Sequence, residues 1–108
     1  MSMPTDELVV VTISGGVTRV FAATKSFDAE LSDLGFFRKG DELSRAISSE
    51  DDRKAVAVAL VKLGAIFSSG KEWSPEEVLD LYREQGIFTE RYRVISWRTP
   101  ATFVISNR

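Results

Sequence analysis

The sequence predicts a single α+β domain that spans residues 1–108. Runs rich in β-branched residues lie near both ends of the chain, and helix-start signals lie between them. A chain of 108 residues, 44% hydrophobic and 28% charged, has the composition of a globular protein and the length for one core. We expect two terminal hairpins to form a roughly four-stranded, mostly antiparallel sheet. We expect two main helices and one or two short ones to pack on one face of it.

The N-terminal hairpin is predicted from two apolar runs around a glycine turn. Leu8–Ile13 and Val17–Phe21 have the composition of strands, and Gly15 and Gly16 between them favour a tight turn. The first run is apolar at successive positions, so both of its faces need cover. We therefore expect it in the middle of the sheet, because an exposed apolar edge would promote aggregation.

The next segment is expected to contain short helical pieces. Ser26–Leu34 is predicted to be a short helix, capped by its first residue and ended by Gly35. Phe36 and Phe37 are adjacent aromatics in a short connection, and we expect both to anchor it to the core. Glu42–Ile47 is predicted to be a second short helical piece.

The first main helix is predicted over Glu50–Phe67. Ser48 and Ser49 supply capping hydroxyls, and the three acids that follow lie at the positive end of the helix dipole. Ala55–Ala59 also alternates as a strand would, but the capping signal and the length favour a helix. Apolar residues lie on nearly all its sides, which is typical of a central core helix or of a subunit interface.

The C-terminal third is predicted to hold the second main helix and the second hairpin. Ser74 is followed by Pro75 at the first helical position, and a glutamate lies three residues after the serine. Gly86 is expected to end this helix. The β-type runs Arg91–Trp97 and Ala101–Ser106 then predict a hairpin.

The composition excludes several classes of site. The chain has no cysteine and no histidine, which removes disulfides, thiolate nucleophiles, Cys/His zinc sites and histidine bases. The paired acids lie at helix starts, where capping explains them. We therefore predict a protein that is not an enzyme and has no metal or cofactor. The first residues carry no secretory signal or membrane span, so we expect a cytoplasmic location without membrane contact.

Charge is distributed unevenly along the chain. Residues 1–81 hold fourteen acids and nine bases, whereas residues 82–108 hold five arginines and two glutamates. Aromatic residues are interleaved with these arginines. Arginine and aromatic side chains contribute most of the binding energy at protein interfaces, and they also stack on and neutralise nucleic acids. The C-terminal hairpin is therefore the candidate binding element.

Five residues of this hairpin are candidate partner-binding residues. A strand here places Arg91, Arg93 and Trp97 on one face and Tyr92 and Arg98 on the other. An Arg-Arg-Trp row of this kind indicates a recognition surface. The same alternation also fits a hairpin with one core face and one solvated, charged face, and the sequence leaves both interpretations open.

Three classes of function fit these observations. The first, which we favour, is a small non-catalytic protein-binding module, such as an inhibitor, an immunity protein, an antitoxin or a phage accessory protein. The second is a nucleic-acid-binding protein that uses the C-terminal hairpin, and a winged-helix-like form of it is the less favoured version. A net charge of −2 and a pI near 5.2 count against it. The third is an enzyme without His or Cys. A homodimer is compatible with all three, since the apolar helix needs cover.

Overall fold

The computed structural model describes residues 8–22, 24–69, 74–99 and 102–107, and for residues 97–99 it describes the backbone alone. Seven strands and three helices make up this part of the chain. In order they are β1 Val9–Thr12, β2 Val17–Phe21, α1 Asp28–Asp33, β3 Phe37–Lys39, β4 Glu42–Ala46, α2 Glu50–Lys62, β5 Ile66–Ser68, α3 Pro75–Glu84, β6 Arg93–Thr99 and β7 Thr102–Asn107.

The strands form one mixed sheet in the order β3-β4-β2-β1-β5-β6-β7. The β1–β5 and β5–β6 pairs are parallel, and the other four pairs are antiparallel. The fold is α+β, but the expected four-stranded, mostly antiparallel sheet is wrong, because β3, β4 and β5 were not predicted. Both predicted hairpins are present, and β1 lies at the centre of the sheet as its two apolar faces require.

The segment predicted as a second short helix is instead strand β4. Glu42–Ala46 contains residues that favour helices, but it pairs with β2 over five residues and with β3 on its other side. Gly40 has a φ of +67° and makes the tight turn between β3 and β4. Of the two adjacent aromatics, Phe36 is buried, whereas Phe37 is 78% exposed on the edge strand and anchors nothing.

The helix predicted to reach Phe67 ends earlier. Gly64 has a φ of +83°, its N–H bonds to Val61, and the N–H of Ala65 bonds to Leu60. These two bonds form a Schellman motif, which ends a helix at a left-handed glycine. The three residues after Ala65 are therefore free to form β5, and Phe67 enters the core from a strand.

The starts of the two main helices are confirmed, and the cap of the short one is wrong. Ser49 accepts a hydrogen bond from the backbone of Asp52 at 3.0 Å, and Ser74 accepts one from Glu77 at 3.4 Å. In contrast, α1 begins after Phe27 with no side-chain cap, so Ser26 does not have its predicted role.

The core lies between the helices and one face of the sheet. Helix residues such as Leu31 and Leu60 meet strand residues such as Val10, Val20 and Phe67 in a single cluster. On the opposite face, a second cluster contains strand residues only: Val9, Ile66 and Ile95, with Val11, Phe21 and Phe103 packed against them. None of the described helices is long and apolar enough to cross a membrane.

Candidate functional site

Of the five predicted binding residues, the structure describes the side chains of Arg91, Tyr92 and Arg93. Arg91 is exposed but precedes β6, so it lies outside the strand. Arg93 begins β6, and its Nη2 donates a hydrogen bond to the carbonyl oxygen of Gly64, 2.6 Å away, at the end of α2. The side chains of Trp97 and Arg98 lie outside the described residues.

Tyr92 belongs to the core. It is 3% exposed, and its ring packs edge-on against Phe67 and Phe88, with centroids 5.7 and 5.9 Å apart. The guanidinium of Arg83 lies 5.0 Å from the centre of the ring, and the Tyr92 hydroxyl donates to Asp80 on α3. These contacts tie the start of β6 to α3.

The C-terminal hairpin also presents a second surface, which is the outer edge of β7. This strand is the last in the sheet, and in the described residues no strand pairs with its other side. Val104 is 44% exposed on the helix side and Ile105 is 39% exposed on the opposite side. β6 is therefore covered on both faces, since Val94 on the helix side and Ile95 on the opposite side are fully buried, whereas β7 is open on both faces.

Hydrogen bonding shows which backbone groups of β7 face outward. The N–H of Ser69, which follows β5, bonds to the carbonyl of Ile95 at 3.0 Å. The backbone groups of one strand residue point to the same side and alternate along the strand, so those of Ser96 face β7. Ser96 pairs with Val104, and the peptide groups of Ile105 therefore point away from the sheet.

The two edges of the sheet differ in chemistry. β3 has three residues and carries Arg38 and Lys39. A short, basic edge discourages pairing with another chain. β7 has six residues, Thr102–Asn107, and none of them is charged or a proline. The sequence predicted this strand, but sequence analysis missed Val104 and Ile105 as surface residues. The sequence signal for these residues is the uncharged run Thr102–Asn107 in the second strand of the predicted hairpin.

A polar cluster lies where the β1–β2 turn meets α2 and α3. Tyr82 donates its hydroxyl to Glu50 Oε2 at 2.5 Å, and Glu50 also accepts from Arg53. Arg53 in turn donates to the carbonyls of Ile13 at 3.0 Å and Gly15 at 3.1 Å. Burial, and then the hydrogen bond to the carboxylate, raise the pKa of Tyr82 to about 12.

This cluster borders a cavity of about 370 Å³ lined by Ser14, Glu50, Arg53, Val78, Leu81 and Tyr82. Its carboxylate and guanidinium offset each other, and each is already bonded to protein groups. The polar cluster therefore links the β1–β2 turn to both helices.

A second ion pair fixes the start of α2 to β4. Both terminal nitrogens of Arg45 bond to the carboxylate of Asp52 at 3.0 Å. The hydrogen bonds from Arg45, and then the backbone N–H of Ser48, lower the pKa of Asp52 to about 2. Ser49 and Asp52, two residues of the predicted helix start, therefore make structural contacts.

Comparisons with known proteins give no match to this chain among protein-family models, curated proteins or solved structures.

Proposed function

We propose that this protein is a small protein-binding module that takes up a strand of its partner along the outer edge of β7. The observation that carries the proposal is the exposure of an uncharged six-residue edge strand. Exposed N–H and C=O groups on such an edge are a template for pairing with another chain. Adding a strand to a sheet edge is a recurring mode of protein recognition.

The surroundings of β7 support this use of its edge. Isolated two-stranded ribbons are marginal in water. β7 has one neighbouring strand in the described structure and exposes residues on both faces. A strand added beside it would satisfy the outward peptide groups of Ile105. It would also cover part of the Val104 side chain on one face and of the Ile105 side chain on the other.

The chemistry of β7 defines the partner that fits it. The main chain supplies hydrogen bonds to any extended segment, and the side chains at alternate positions supply specificity. Because Ile105 is apolar and its strand is uncharged, the matching segment is extended, uncharged and apolar opposite Ile105. Inhibitors, immunity proteins, antitoxins and phage accessory proteins are the kinds of binding protein that we propose for this chain.

Site-specific photo-cross-linking in cells of the source organism tests the proposal. A photoreactive residue at Asn107, exposed on β7, is expected to form a protein adduct, and the same residue at Glu30 on α1 is the matched control. Ile105→Lys is expected to abolish the Asn107 adduct, because an edge lysine opposes strand pairing. Adducts that form equally from both positions, or that survive Ile105→Lys, would overturn the proposal.

A further inference from the structure

We infer that the strand taken up by β7 is the β7 strand of a second copy of this chain, in a two-fold symmetric, antiparallel dimer. The inference rests on the proposed use of the β7 edge and names its partner. The two seven-stranded sheets would then continue into each other across the dimer axis.

The orientation of the backbone fixes where the axis lies. The peptide groups of Ile105 face outward, whereas those of Val104 and Ser106 face β6. In an antiparallel pair, residues that exchange both N–H···O bonds lie directly opposite each other. A two-fold axis through such a pair sets Ile105 opposite the partner subunit's Ile105. Each then donates to and accepts from the other.

The side chains of β7 are compatible with facing copies of themselves. A two-fold axis brings identical and neighbouring positions together, so any charge near the axis would meet its own copy. Val104, Ile105, Ser106 and Asn107 are all uncharged. This register places the two Ile105 side chains together on one face of the sheet. On the other face it places Val104 opposite the partner subunit's Ser106.

The absence of charge favours a second copy over an unrelated chain. Charged groups at an interface fix register and suppress wrong partners by like-charge repulsion. β7 offers no charge by which a different protein could be selected. Pairing between two identical strands needs no charge for selection, because the same uncharged residues line both sides of the contact.

The size of the contact sets the expected strength. Stable, specific complexes bury about 1,200–2,000 Å² in total, and weaker, transient ones bury less. Pairing along a single strand of six residues belongs to the smaller class. We therefore expect dissociation constants in the micromolar range, with monomer and dimer in exchange.

Sedimentation equilibrium of the full chain over a concentration series tests the dimer. The wild-type mass is expected to rise from 12.0 kDa towards twice that value as concentration increases. Ile105→Lys and Val104→Lys are expected to remain monomeric, and Ile105→Val, the conservative control, is expected to dimerise as the wild type does. Far-UV circular dichroism checks that each variant is folded, and two lysine variants on opposite faces guard against one that misfolds.

Three outcomes overturn the inference, and they separate it from the proposed function. A wild-type chain that stays monomeric while its Asn107 probe cross-links a different protein refutes the dimer and keeps strand addition. A dimer that persists in both lysine variants is formed elsewhere, and it too refutes the assignment. A monomer that forms no adduct from Asn107 refutes both.

Discussion

The hydroxyl of Tyr82 on α3 donates a hydrogen bond to the carboxylate of Glu50 in the first turn of α2. Arg53 extends this contact to the β1–β2 turn through the carbonyls of Ile13 and Gly15. Three elements distant in sequence therefore meet at one carboxylate, and the helices are held over the sheet by polar as well as apolar contacts.

Tyr82→Phe tests the strength of this hydrogen bond. We expect the free energy of unfolding to fall by about 1–2 kcal/mol, because the variant keeps the buried ring and loses one charge-assisted hydrogen bond. Urea denaturation of Tyr82→Phe, Glu50→Gln and the double variant gives a thermodynamic cycle. Strictly additive losses in that cycle would show that the two side chains do not interact.

Stability at low pH is expected to depend on Asp52. Its pKa is about 2 in the folded protein, below the ordinary value of 3.8 for an aspartate, so ionised Asp52 stabilises the fold above pH 3.8. That stabilisation is lost as the pH falls from 3.8 towards 2. Asp52→Asn is expected to remove this part of the pH dependence, whereas Asp51→Asn, an exposed neighbour in the same turn, keeps it. Melting temperatures of the two variants, measured between pH 3.8 and pH 2, test this prediction.

Gly64→Ala tests the end of α2. The substitution places a side chain at a φ of +83°, which we expect to cost about 1–2 kcal/mol, although the added Cβ would meet no atom within 4 Å. Gly15→Ala is the matched control, because its Cβ would also meet nothing and its φ is not positive. Equal stability of the two variants in chemical denaturation would contradict the role of the left-handed conformation.

Leu60→Ala tests the core position of α2. Leu60 is fully buried, and its truncation is expected to cost about 2–5 kcal/mol because a cavity remains. Leu81→Ala, at a position 38% exposed, is expected to cost less. The reverse order of the two losses in urea denaturation would show that α2 does not pack as described.

Local signals predicted those parts of the fold that local chemistry controls. Ser49 and Ser74 cap their helices through backbone N–H groups a few residues away, so their roles are visible in the sequence. β1 was placed in the middle of the sheet because both of its faces are apolar, and its neighbours β2 and β5 confirm this.

Long-range pairing controls the parts that the sequence did not predict. Glu42–Ala46 has helix-forming residues but lies between two strands, and those hydrogen bonds outweigh local propensity. Phe67 continues the spacing of α2, yet Gly64 ends that helix first. An apolar residue at helical spacing cannot by itself distinguish one more turn from a buried strand.

The candidate surface was only partly visible in the sequence. The hairpin was predicted, but Arg-rich and aromatic composition pointed to Tyr92 and Arg93. In the structure, Tyr92 lies in the core and Arg93 bonds to the carbonyl of Gly64 at the end of α2. The sequence predicts Val104 and Ile105 as strand residues and assigns them no role in binding. Their exposure depends on β7 being the last strand, and that follows from the parallel pairing of β5 with β6.

Amide hydrogen exchange at Ile105, followed by NMR at several protein concentrations, tests the β7 edge most directly. The Ile105 N–H points outward, so pairing with a second copy is expected to slow its exchange as concentration rises. The N–H of Ser106 faces β6 and serves as the internal control, with protection that does not depend on concentration. An Ile105 amide that exchanges equally fast at every concentration would contradict strand pairing between copies at this edge.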